Sequence, residues 1–123
     1  TEQCFLLGAN SIVPNHTRLG DLGCTIQAHA ESYGYGVVRE LVGHGIGRQM
    51  HEDPNVPNYG TPGHGMRLSV GMTIAIEPMI ALGTEKVDWM NDGWTVKTRD
   101  RKPAAHYENT IAITDNGIEI LSL

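Results

Sequence analysis

Residues 72–80 read MTIAIEPMI, and the fold prediction starts from this stretch. Apolar residues alternate with small ones at a period of two, which is typical of a β-strand that buries one face. Ile74 and Ile76 fall on one face, and Glu77 falls on the other with threonine and alanine as its only neighbours. The stretch therefore predicts a buried strand that carries a carboxylate on its small-residue face.

A second carboxylate has the same setting near the end of the sequence. In residues 107–113, YENTIAI, Glu108 again shares its strand face only with threonine and alanine. An isolated buried carboxylate is costly and tends to take up a proton. A metal cation would remove that cost, as would an arginine such as Arg39 or Arg99, and a solvated sheet face would avoid it.

The first part of the chain predicts two helices. The apolar cluster in residues 1–12 stops before Pro14, where a helix end is expected. Thr17 offers an N-cap to a second amphipathic helix that ends near residues 33–34.

The rest of the chain predicts strands and one long loop, so the expected fold class is α+β, with two helices followed by an antiparallel sheet. A short strand is expected at 36–41, and residues 43–71 form a loop rich in Gly, Pro and Asn. Turn signals at 91–93 and 115–117 separate later strands. These strands are predicted at 72–80, 85–90, 94–99, 106–114 and 118–123.

Two histidines lie in residues 43–54, GHGIGRQMHEDP, which contain three glycines in five residues around His44. One imidazole with two carboxylates suits Mn, Fe, Co or Zn. The zinc signature HExxH is absent at His51, and Pro54 would break the helix that this signature needs. The glycines are expected to let the backbone turn and pack beside a metal ion bound by His44.

Composition excludes several function classes. The 123 residues carry a net charge of −5 with no cluster of Lys and Arg, so direct nucleic-acid contact is not expected. No apolar run is long enough to cross a membrane. Two cysteines make no disulfide framework and predict buried thiols in a reducing cytoplasm. The start of the sequence has neither Met nor a signal peptide, which predicts a piece of a longer chain.

Four motifs in fixed order resemble one family. The motifs GHGIGRQMHEDPNVPNYG, GMTIAIEPM, DGWTVKT and YENTIAITDNGIEIL are similar to the C-terminal half of type I methionine aminopeptidases, and the resemblance runs through residues 1–123. It implies half of a pita-bread (creatinase/aminopeptidase) catalytic domain with a dinuclear centre of Co, Mn, Fe or Zn. It also implies a cytoplasmic enzyme that removes N-terminal methionine from peptides and nascent chains.

The resemblance assigns roles residue by residue. It implies that His44, Glu77 and Glu108 are metal ligands, with Glu108 bridging both ions and Glu77 also acting as a catalytic base. His51 resembles the catalytic histidine that binds the substrate, and Trp94 and Met50 match positions near the methionine pocket. The family's two aspartate ligands lie upstream of Thr1, so the N-terminal half is expected to be absent and the isolated chain inactive.

Two departures and two alternatives accompany the resemblance. His106 and Asn109 replace the Gln and His that the family usually has in this motif. Neither position is a ligand in the family, and a structural or outer-shell role is expected for His106. An Xaa-Pro peptidase of the same fold is an alternative that Met79 in IEPM disfavours. A non-catalytic peptide-binding module is the other alternative, and the intact His44, Glu77 and Glu108 disfavour it.

Overall fold

The computed structural model describes residues 1–122, which contain two helices and ten short strands. The helices are α1, Glu2–Asn10, and α2, Leu19–Ser32. The strands are β1 Gly36–Val37, β2 Gly43–Gly45, β3 Glu52–Val56, β4 Thr73–Ile76, β5 Met79–Ala81, β6 Val87–Trp89, β7 Val96–Thr98, β8 Ala104–His106, β9 Asn109–Thr114 and β10 Gly117–Ile120. The predicted α+β order is therefore confirmed. Leu123, the last residue of the strand predicted at 118–123, lies outside the described residues.

The two helices and the sheet share one hydrophobic core. Phe5 of α1 and Ile26 of α2 are fully buried in the same cluster as Ile74 of β4 and Ile111 of β9. The alternation read from the sequence thus has its apolar face turned to the helices. Burying one large aliphatic side chain of this kind contributes about 1.5–3 kcal/mol.

The predicted N-cap of the second helix was wrong by one residue, because Arg18 holds that position. The Asp21 carboxylate accepts a hydrogen bond from the Arg18 N–H at 2.7 Å, which satisfies the free backbone donor at the helix start. The Thr17 hydroxyl is engaged elsewhere, since it accepts a hydrogen bond from the Val13 N–H at 2.8 Å.

The strands form three antiparallel sheets. The largest has the order β10-β9-β4-β2-β3, a second has the order β1-β5-β8, and β6 pairs with β7. The strand predicted at 36–41 is only two residues long, and Arg39, two residues after its end, places its guanidinium over the Tyr59 ring.

The strands predicted at 72–80 and 106–114 are each divided between two sheets. β4 pairs with β9 from Thr73↔Ala112 to Ile76↔Asn109, and β5 pairs with β8 in the same register, starting at Met79↔His106. The connections 77–78 and 107–108 lie between these pairings. Pro78 has no N–H to donate to a ladder, although its carbonyl accepts a hydrogen bond from the Tyr107 N–H at 3.2 Å. One antiparallel ribbon therefore bends from one sheet into the other at the two glutamates.

The predicted loop at 43–71 contains two strands, β2 and β3, which form a hairpin. A Cβ atom on Gly43 would collide with the carbonyl oxygen of Ala75, and one on Gly45 would collide with that of Asp53. Gly43 and Gly45 therefore permit the close packing that we expected from the sequence, although they lie in a strand. The chain bends at 47–51, which includes Gly47.

Candidate metal centre

Three strands bring the predicted ligands together. His44 in β2 pairs with Ala75 in β4, and Glu77 lies two residues further along the same face of that chain segment. Glu108 lies opposite Glu77 in the continued register of the bent ribbon. One donor atom each from His44, Glu77 and Glu108 lies within 4.8 Å of the other two.

The His44 ring presents a defined nitrogen to the carboxylates. Its Nδ1 lies 2.9 Å from the carbonyl oxygen of Gly45, so Nδ1 carries the proton and donates the hydrogen bond. The lone pair of Nε2 therefore points towards Glu77 Oε1, which is 3.4 Å away. A lone pair that faces a carboxylate oxygen calls for a cation between them, either a proton or a metal ion.

The Glu77 carboxylate lies in a poorly solvated position, with only 13% of its side chain exposed. Burial raises the pKa of the Glu77 carboxyl above its ordinary value, and the nearby Glu108 carboxylate raises it further, while His106 and His44 oppose both effects. The backbone at this point is held by Asn58, whose side-chain N–H donates to the Glu77 carbonyl at 3.2 Å.

Arginine does not supply the neutralising charge among the described residues. Arg99 pairs with Asp88 at 3.0 Å, and Arg39 lies 4.5 Å over the Tyr59 ring. Both glutamates therefore meet imidazoles instead of guanidinium groups. An imidazole and two carboxylates form a donor set that suits a borderline divalent cation, so these residues fit a metal ion.

His51 lies against this cluster, whereas Trp94 and Met50 do not belong to it. The ring centroids of His51 and His44 are 4.1 Å apart, because the loop between β2 and β3 folds His51 back over its own strand. Met50 is 72% exposed and Trp94 is 85% exposed. Trp94 lines a shallow apolar cavity that none of the three candidate ligands lines.

The structure places His106 beside both carboxylates. His106 Nε2 lies 3.1 Å from Glu77 Oε2 and 3.8 Å from Glu108 Oε2. These contacts agree with the outer-shell role that the sequence favours for His106. Strand periodicity contained the signal, since His106 lies two residues before Glu108 and so on the same face. Asn109 points elsewhere, and its side-chain amide lies 3.1 Å from Ser122 Oγ.

An imidazole and two carboxylates, of which Glu77 is largely buried, on an α+β scaffold define the class of protein as a candidate metal-dependent hydrolase. The sequence profile of the metallopeptidase family M24 matches residues 1–115. The chain therefore belongs to metallopeptidase family M24.

Within this family, the chain is clearly similar in sequence to methionine aminopeptidases. The chain is 55% identical to a methionine aminopeptidase of Clostridium acetobutylicum over 123 residues, which are the whole of this chain and 49% of that relative. It is 46% identical to methionine aminopeptidase 1 of Bacillus subtilis over 122 residues, which are 99% of this chain and 49% of that relative. The chain thus spans about half the length of the curated relatives it matches.

Solved structures confirm the pita-bread fold. The methionine aminopeptidase of Thermotoga maritima superposes with a TM-score of 0.95 at 50% identity, over 98% of this chain and 48% of that one. The prolidase of Pyrococcus furiosus superposes with a TM-score of 0.72 at 24% identity, over 99% of this chain and 30% of that one, which supports the fold alone. Within the described residues, no helix is both long and apolar enough to cross a membrane.

Proposed function

We propose that residues 1–123 are the C-terminal half of the catalytic domain of a methionyl aminopeptidase. The observation that carries the proposal is the meeting of His44, Glu77 and Glu108 within 4.8 Å on a scaffold that is 55% identical to a methionine aminopeptidase. The remaining ligands, two aspartates, would come from an N-terminal half, so the isolated chain would be inactive.

His44, Glu77 and Glu108 would hold two divalent ions, which we propose to be Co, Mn, Fe or Zn. Such ions supply Lewis acidity and lower the pKa of water towards neutrality. Glu108, whose side chain is 43% exposed, would be shared by the two ions, which is the role that the similarity to methionine aminopeptidases implies.

Glu77 and His51 would share the proton and hydrogen-bond chemistry. Glu77 would accept the proton of the attacking water, a role that suits a carboxyl whose pKa is raised by burial above its ordinary value. His51 is exposed and lies against His44, so its ring can reach a substrate above the metal ligands. There it would donate a hydrogen bond to the oxygen that gains charge as the peptide carbonyl is attacked.

The proposed substrates are peptides and nascent chains with N-terminal methionine, in the cytoplasm. An apolar cavity of about 210 Å³ is lined by Met79 and His106 at one end and by Leu41 and Val96. Leu41 and Val96 also line the cavity at Trp94. This apolar surface includes His106, which contacts the carboxylates, and it supports a thioether side chain as the preferred first residue. Trp94, in the adjoining cavity, and Met50 would be further contacts of the substrate.

A chimera tests the proposal. The first half of the Clostridium acetobutylicum relative would be fused to this chain, which aligns with 49% of that relative. With added Co²⁺ or Mn²⁺, we expect release of methionine from Met-Ala-Ser and none from the isolated chain. Glu108→Ala should abolish release, while Glu119→Ala, at an exposed position of β10, should retain it.

Two outcomes would favour the alternatives. Cleavage of Ala-Pro peptides with no cleavage of Met-Ala-Ser would identify an Xaa-Pro peptidase. A folded chimera that binds Met-Ala-Ser without cleaving it at saturating metal would identify a peptide-binding module.

A further inference from the structure

We propose that His106 is a positioning residue of the candidate metal centre and that it holds the Glu77 carboxylate so that one oxygen is directed to the His44 side. The inference rests on the proposed function, since it concerns the same centre. It adds a residue that lies outside the ligand set of the motifs, in a strand at the edge of a different sheet.

The bent ribbon explains why His106 reaches the site. His106 pairs with Met79 at the start of the β5–β8 ladder, just beyond the bend that carries the two glutamates. It shares a strand face with Glu108 and is the diagonal neighbour of Glu77. Diagonal neighbours on an antiparallel ribbon remain within reach of long side chains.

Each oxygen of the Glu77 carboxylate contacts a different imidazole. Oε1 faces His44 Nε2 at 3.4 Å, and Oε2 lies 3.1 Å from His106 Nε2. The distance to His106 is that of a charge-assisted hydrogen bond, which His106 donates. Nε2 of His44 and Nε2 of His106 approach different oxygens of Glu77. The His106 contact therefore restrains rotation of the carboxylate and keeps Oε1 on the side of His44.

The same nitrogen also restrains the second carboxylate. His106 Nε2 lies 3.8 Å from Glu108 Oε2, a distance of electrostatic attraction and not of a hydrogen bond. A donor between two carboxylates reduces their mutual repulsion when the centre contains no cation. His106 therefore keeps both glutamates close to the geometry in which they meet His44.

Other described groups do not duplicate this contact. Among residues 1–122, His106 is the single side chain that hydrogen-bonds to Glu77 Oε2. Asn58 restrains the same residue through its backbone carbonyl, which leaves the carboxylate free to rotate. Loss of His106 should therefore change the carboxylate orientation while the backbone of Glu77 stays in place.

The test compares Co²⁺ binding by the chimera described above with that of three variants. His106→Ala removes the donor, and His106→Gln keeps an N–H donor of similar reach. His16→Ala is the matched control, because His16 is exposed and makes no side-chain contact with the centre. Circular dichroism would verify that all variants are folded.

We expect His106→Ala to weaken Co²⁺ binding about 10- to 100-fold, the range observed when a group that orients a metal ligand is lost. The visible Co²⁺ absorption bands should shift in His106→Ala, since the coordination geometry changes. His106→Gln should restore both the affinity and the spectrum, and His16→Ala should match the parent.

Three results would overturn the inference, and each is distinct. Equal affinity and spectrum in His106→Ala and the parent would remove His106 from the centre while leaving the proposed function intact. Electron spin-echo spectroscopy that counts two coordinated imidazoles in the parent and one in His106→Gln would make His106 a ligand instead of a positioning residue. Failure of the parent itself to bind Co²⁺ would overturn the proposed function and this inference together.

Discussion

His44 Nε2 lies 3.4 Å from Glu77 Oε1, with the opposite ring nitrogen of His44 bound to its own chain at Gly45. The hydrogen bond to the Gly45 carbonyl fixes the proton of the His44 ring on Nδ1. The lone pair on Nε2 is therefore directed at the Glu77 carboxylate. Without a cation this arrangement is repulsive, so the pair is suited to hold a cation between its two atoms, either a proton or a metal ion.

Removal of the His44 ring should weaken metal binding more than the loss of a residue that only orients a ligand. We expect His44→Ala to weaken Co²⁺ or Mn²⁺ binding by the chimera by more than about 100-fold, the upper range for groups that only orient a ligand. Competition against a fluorescent chelator measures the affinity, with His16→Ala as the control. An unchanged affinity would exclude His44 as a ligand.

Glu108 should determine how many ions the centre holds. Because it is the proposed bridge, Glu108→Ala should reduce the number of bound ions below two and abolish peptide hydrolysis, whereas loss of a ligand to one ion should spare the other site. Isothermal titration with Mn²⁺ gives the stoichiometry, and Glu119→Ala on an exposed face of β10 is the comparison. Two bound ions and normal hydrolysis in Glu108→Ala would contradict the assignment.

Local periodicity was sufficient to predict which side of the strands is buried. Ile74 and Ile76 are fully buried, and Glu77 emerges on the opposite face, as the alternation indicated. The sequence could not reveal that the chain changes sheets at Glu77 and Glu108. That change depends on the pairing of β4 with β9 and of β5 with β8, which joins residues about thirty positions apart.

The contact of His106 with Glu77 also depends on strand pairing that the sequence does not reveal. The position of His106 two residues before Glu108 places it on the carboxylate face, and the sequence predicts a structural or outer-shell role without naming the group that it contacts. Its contact with Glu77 requires the strand register, which no local pattern supplies. The helix start was missed for a related reason, since the Asp21 carboxylate binds the Arg18 N–H and makes Arg18 the N-cap.

Asp21 should make stability depend on acid pH. Its carboxylate accepts hydrogen bonds from the Arg18 and Gly63 N–H groups, both at 2.7 Å, and these lower the pKa of Asp21 below its ordinary value of 3.8. A lowered folded-state pKa stabilises the protein above the unfolded value, and this contribution is lost as the pH falls through the folded-state pKa. Asp21→Ala should therefore lower the thermal midpoint at neutral pH.

The difference between the parent and Asp21→Ala should shrink as the pH falls below 3.8. Thermal melts followed by circular dichroism at a series of pH values measure it. Asp115→Ala, in an exposed turn, is the control and should leave the midpoint nearly unchanged at every pH. A midpoint difference for Asp21→Ala that stays constant with pH would contradict the role of its ionised carboxylate.

Replacement of His51 should slow catalysis without weakening metal binding. The His51 ring lies against His44 but outside the three-residue donor cluster, and its side chain is exposed. We expect His51→Ala in the chimera to bind Co²⁺ with parental affinity and to release methionine about 100- to 1000-fold more slowly, the loss typical when one oxyanion donor is removed. His64→Ala, at an exposed loop position, should show parental turnover. Steady-state kinetics on Met-Ala-Ser at saturating metal measure the turnover. A parental rate in His51→Ala would exclude the ring from catalysis. Weakened Co²⁺ binding in this variant would instead make His51 part of the metal centre.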